Sequence, residues 1–127
     1  MIALVVLVLC DAIWFNLVAG KLYKSELGGI LRMEGGSVKP NWYAATLVYL
    51  LLALGVALLV VPLAGGFSTA AGYGAIFGLV VYGVYDMTNL ALLAQWTVKA
   101  SIIDVAWGTF VGGFASLITY HLVNIWK

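Results

Sequence analysis

The chain predicts an all-α membrane protein, a four-transmembrane-helix bundle with both termini on the extracytoplasmic side. Three observations predict it. First, 65% of the residues are hydrophobic and 9% charged, against roughly 25% charged in soluble domains, so a chain this poor in charge cannot keep its surface wet. Second, the apolar residues fall into four runs of about twenty, each enough to cross ~30 Å of hydrocarbon at 1.5 Å per residue. Third, the basic residues gather on one side of those runs. The spans use nearly all of the 127 residues, which leaves a single transmembrane domain, 1–127. A net charge of +1 gives no field to attract nucleic acid. Cys10 is the one cysteine, which excludes an internal disulfide and a multi-cysteine metal site.

The first span covers about 2–22. No basic region precedes it and no Ala-x-Ala-like cleavage site follows, so it reads as a retained helix. The second covers about 41–61, with Asn41 as N-cap after Pro40 and with Pro62 and Gly65-Gly66 to stop it. The third covers about 69–96 and the fourth about 101–126. The few residues between these two predict a tight antiparallel hairpin. Lys21, Lys24, Arg32, Lys39 and Lys99 mark one side, whereas the loop Leu63–Ser68 carries no charge and only Lys127 stands with it. The positive-inside rule puts the first and third loops in the cytoplasm. Trp42, Trp96 and Trp126 fall near helix ends, as an interfacial belt requires. The loop of about 23–40, within the run KLYKSELGGILRMEGGSVKP, reads as a solvated connector or a short surface helix, limited in length by its two Gly-Gly pairs.

Ionisable groups inside a span cost roughly 2.5–3.5 kcal/mol on insertion scales, so they face the bundle interior and often mark function. Three aspartates need partners. On the third helix Tyr82, Asp86, Asn89 and Trp96 share one stripe, continued outward by Gly78, Gly74 and Ala71. On the fourth, Asp104, Gly108, Gly112, Ala115 and Thr119 share another. Each stripe holds a G-x-x-x-G, which suits close packing of the two helices on each other. Asp11 in the first helix precedes Trp14 by three residues, as Asp104 precedes Trp107, a D-x-x-W that hints at an internal repeat. Counted from the cytoplasmic ends, Asp11 and Asp86 lie roughly 15 Å in, and Asn89, Trp107 and Tyr49 about 10 Å in, while Asp104 lies near the surface. The expected polar cluster is Asp11, Trp14, Thr46, Tyr49, Tyr82, Asp86, Asn89, Asp104 and Trp107. Structural roles compete with that reading. Ser101-Ile-Ile-Asp104 has the form of a capping box, and Asp11 and Asp86 would serve equally as interhelical hydrogen-bonding groups. His121 reads as an interfacial histidine, not a ligand.

The run Tyr82-Gly83-Val84-Tyr85-Asp86-Met87-Thr88-Asn89-Leu90-Ala91, then Gln95-Trp96, then Asp104-Val105-Ala106-Trp107-Gly108, resembles the DUF2177 family of small bacterial integral membrane proteins. Asp11 with Trp14, Tyr23, and Asn41 with Ala44 also match, so the resemblance covers most of the chain. It implies a multi-pass protein of the bacterial inner membrane and supplies no activity.

Function therefore rests on the polar groups. The reading they favour is a lipid or small hydrophobic-ligand binding or modifying protein, with its site in the cytoplasmic half and a carboxylate available as acid or base. Whether it is an enzyme is left open, and no catalytic residue or cofactor is assigned. A dimeric proton-coupled transporter of small solutes and an accessory subunit of a larger membrane complex are the alternatives. No multi-histidine set and no G-x-S-x-G is present, and no metal ligand is assigned.

Overall fold

A computed structural model describes residues 1–126. Four helices are long and apolar enough to cross a membrane: α1 (Ile2–Leu27), α2 (Trp42–Leu63), α3 (Phe67–Leu92) and α4 (Val98–Ile125). Between α1 and α2 lies a short hairpin, β1 (Met33–Glu34) and β2 (Ser37–Val38), paired antiparallel with Met33 opposite Val38. Lys127, counted above with the outer side, lies outside the described residues.

The polarity of the bundle is inverted relative to a soluble protein. Its exposed residues include Val5, Leu9, Ile13 and Leu17 on α1 and Leu47, Leu51, Leu54 and Leu58 on α2. Its buried residues include Asp86, Ser101, Asp104, Ser116 and Thr119. Hydrocarbon outside and polar groups inside is the arrangement a bilayer solvent selects. The central helix is α4, with 44% of its most apolar stretch buried against 17% in each of the other three. It packs along the length of α3 and also meets α1 and the second half of α2.

The α3–α4 contact is built from the two glycine stripes. Gly74 faces the Gly112 carbonyl and Ser116, and Gly78 faces the Gly108 carbonyl and lies against Gly112. Side chains at these positions would hold the backbones apart, so small residues set the approach.

Helix ends differ from the hydropathy reading in three places, each for a local reason. The apolar run of α1 stops at Leu22, but the helix continues to Leu27, because Lys21, Lys24 and Glu26 are good helix formers with no need of lipid. This extra turn is held by Glu26, which accepts from Thr97 Oγ1 and Lys99 Nζ, both at 3.0 Å. The remainder of the loop is the hairpin, not a surface helix. Gly35 and Gly36 take its turn at φ +57° and +76°, the left-handed pair that a two-residue hairpin demands. Finally, α3 ends at Leu92 and α4 begins at Val98. Thr97 is the N-cap and accepts from the Ala100 N–H at 3.1 Å, so the capping box at Ser101–Asp104 does not form. Asn41 caps α2 as its sequence predicts, accepting from the Tyr43 and Ala44 N–H groups at 3.1 and 3.3 Å.

Both α1 and α2 contain one π-helical turn, at Phe15–Ala19 and Val56–Val60. A π turn takes in one extra residue and is common near functional sites.

Candidate functional site

Shortening α3 to Leu92 and starting α4 at Val98 changes the depths of two aspartates. Asp86 and Asp104 each lie six residues inside their helix ends, so antiparallel packing sets them level, and the two carboxylates adjoin. Asp86 is wholly buried, and neither of its carboxylate oxygens has a hydrogen-bond partner. Trp96 and Ser101 stand close by but bond each other, the indole N–H donating to Ser101 Oγ at 3.0 Å. Asp104 accepts from the Tyr23 hydroxyl.

Asp11 forms the second node. It accepts from the Trp107 indole N–H at 2.7 Å, with the Tyr49 hydroxyl beside it. Trp14 stacks on Trp107, ring centroids 4.5 Å apart and planes 2° from parallel. The two D-x-x-W motifs thus meet face to face. Their exchange is one-sided, since Trp107 bonds Asp11 while the buried Trp14 indole N–H has no partner and Asp104 takes Tyr23 instead.

Two cavities open beside these nodes. One of about 540 Å³ is mostly apolar in its lining but holds the carboxyl and hydroxyl groups: this polar cavity is walled by Asp11, Trp14, Tyr23, Tyr49, Tyr82, Asp104 and Trp107, with Val38 and Pro40 at the hairpin end. An apolar one of about 700 Å³ runs between α2 and α3, past Gly55, Phe77 and Val81, and opens to the lipid-facing side at the exposed Leu51, Leu54 and Leu58. Tyr82 and Asp104 line both.

Of the eight candidate residues, six line the polar cavity: Asp11, Trp14, Tyr49, Tyr82, Asp104 and Trp107. Asp86 sits behind Asp104 and outside both linings. Asn89 is half-buried beside Tyr85 and lines neither cavity. Thr46, also expected in the cluster, is exposed and bonds the Trp42 carbonyl at 2.8 Å. His121 is exposed against the Phe67 ring.

The residue that helical periodicity missed is Tyr23. Twelve residues of regular α-helix would turn it about 120° away from Asp11. The π turn at Phe15–Ala19 absorbs one residue and leaves them about 20° apart, on one face. Gly20 follows that turn, its N–H donating to the Phe15 carbonyl, and a β-carbon at Gly20 would sit 2.8 Å from that oxygen. Only the family resemblance singled out Tyr23.

Four apolar spans around a buried polar core define a multi-pass helical membrane protein. The chain belongs to the family described as predicted membrane protein (DUF2177), whose model matches residues 1–121. Neither a curated protein nor a solved structure matches it.

Proposed function

We propose that this protein binds a lipid or a small hydrophobic ligand within the membrane, its head group in the polar cavity and its hydrocarbon in the apolar one. The observation that carries this reading is the shared wall: Tyr82 and Asp104 border both cavities, so one amphiphile can engage the two together. Volumes of about 540 and 700 Å³ lie within the range of small-molecule sites, which are concave, mostly apolar and marked by a few polar groups. The two G-x-x-x-G faces are used within the chain, which leaves them unavailable for joining a second copy or a larger complex. We further propose a bacterial inner-membrane location, as the family resemblance implies, and a single domain with termini outside and the polar cavity in the cytoplasmic half, on the asymmetry of its lysines and arginine.

Native mass spectrometry from membrane-derived nanodiscs tests the reading, with wild type beside Val81→Phe, which adds bulk to the apolar cavity wall. Wild type should retain a lipid-sized mass that the variant loses at unchanged thermal stability. Equal retention by both, or a bare protein mass in wild type, would refute it.

A further inference from the structure

The charge of the polar cavity is one-sided. Asp11 and Asp104 line it, Asp86 backs onto Asp104, and among the described residues no lysine or arginine lines either cavity. The cations of the same end are engaged or turned outward: Lys99 is paired with Glu26, Lys39 with Glu34, and Lys21 and Lys24 are exposed. Carboxylates removed from water normally sit against a cation or a full set of donors. Asp11 has an indole donor and Asp104 a tyrosine hydroxyl, but Asp86 is 0% exposed and unpartnered. Three carboxyl groups are therefore gathered in a low-dielectric site with no cationic side chain against them.

We propose that the ligand is an amphiphile with an ammonium head group, held by Asp104 and Asp11, and with its hydrocarbon in the apolar cavity. This deepens the reading above and rests on it. An ammonium at Asp104 donates to that carboxylate in place of, or alongside, Tyr23. The stacked Trp14 and Trp107 rings and the Tyr49 and Tyr82 rings in the same wall add faces that attract cations, most strongly where water is excluded. A head group that offers a phosphate or carboxylate without an ammonium would meet repulsion from the same set. The ammonium can belong to a bilayer phospholipid or to a free single-chain amine, and the chemistry of recognition is shared.

The test compares three twelve-carbon probes on the full chain in dodecyl maltoside, by titration calorimetry: dodecyltrimethylammonium, 1-dodecanol and dodecyl sulfate. The cation should bind at least ten-fold more tightly than the alcohol, and the sulfate least. Asp104→Asn and Asp11→Asn should each remove most of that preference, bringing the cation to within a few-fold of the alcohol. Since the ranking is read on wild type, a variant that fails to fold does not blunt it. Equal binding of cation and alcohol overturns the cationic head group while the amphiphile site stands. Binding of none of the three sinks both. Extraction from vesicles of phosphatidylethanolamine and phosphatidylglycerol then separates the sources. Retained phosphatidylethanolamine supports a membrane lipid, cation binding with neither phospholipid retained supports a single-chain amine, and retained phosphatidylglycerol alone overturns the proposal.

Discussion

The two halves of this bundle are built on opposite terms. The α3–α4 hairpin is closed by glycine, with Gly74, Gly78 and Gly112 against backbone and Gly108 against the Tyr82 side chain, leaving no room for side chains of their own. The α1–α2 half stands off from it, and the space it leaves is the pair of cavities, one polar and one apolar. Each helix of the open half carries a π turn and neither helix of the closed half does. In a bilayer, where lipid tails are as apolar as leucine, close packing supplies most of the cohesion between helices. One tight pair can therefore hold the fold while the other pair is free to enclose a ligand. The same substitution, glycine to alanine, interrogates the contrast at three positions.

Gly78→Ala has the largest expected effect. Its β-carbon would fall on the Gly108 carbonyl, with the Gly112 Cα 3.3 Å away. Both obstacles are backbone, so α3 and α4 must separate along their length. Overpacking costs about 1–3 kcal/mol, and the loss here should lie at the top of that range even after alanine's better helix propensity, worth about 1 kcal/mol. Thermal unfolding in detergent should show a drop of many degrees or no folded protein. An unchanged midpoint would mean the hairpin is not the tight half.

Gly20→Ala should act on geometry more than on stability. The alanine presses on the Phe15 carbonyl, which favours straightening the π turn into α-helix and swings Tyr23 about 100° off the Asp11 face. Loss of the Tyr23–Asp104 bond costs on the order of 1 kcal/mol, largely cancelled by the propensity gain. The expected result is a near-native midpoint with ligand retention lost. Retention at the wild-type level would show that Tyr23 is not part of the head-group wall.

That position also marks the limit of what a sequence can tell. The four spans, the Asn41 cap and the paired glycine stripes follow from hydropathy, capping chemistry and a 3.6-residue period. Six of the eight candidate residues reach one cavity because their helices are regular where they stand. Tyr23 is off-phase until the π turn is known, and nothing in Phe15–Ala19 announces one. The pairing of Asp86 with Asp104 was hidden by helix ends that hydropathy misplaces. Trp96 is apolar enough to extend α3 on paper, yet α3 ends at Leu92 and Thr97 caps α4 just after Trp96, starting that helix three residues earlier than hydropathy places it. Thr46 shares the depth of the cluster, but its hydroxyl is satisfied on its own helix.

Gly55→Ala should have the smallest effect, and its size measures how open the second half is. The added β-carbon meets only the far edge of the Phe77 ring, at the border of the 700 Å³ cavity. A ring beside empty space can swing away by a side-chain rotation, whereas a backbone carbonyl cannot. Strain should therefore fall below about 1 kcal/mol, comparable with the propensity gained by alanine, and the midpoint should move by no more than a few degrees. The displaced Phe77 takes up part of the apolar cavity, so retention of a long-chain ligand should weaken several-fold while the fold persists. A collapse as deep as that of Gly78→Ala would place α2 in the same close-packed class as α3 and α4, and the apolar cavity could then not exist as an open space. A stable variant with weakened retention would instead separate what holds this bundle together from what it holds.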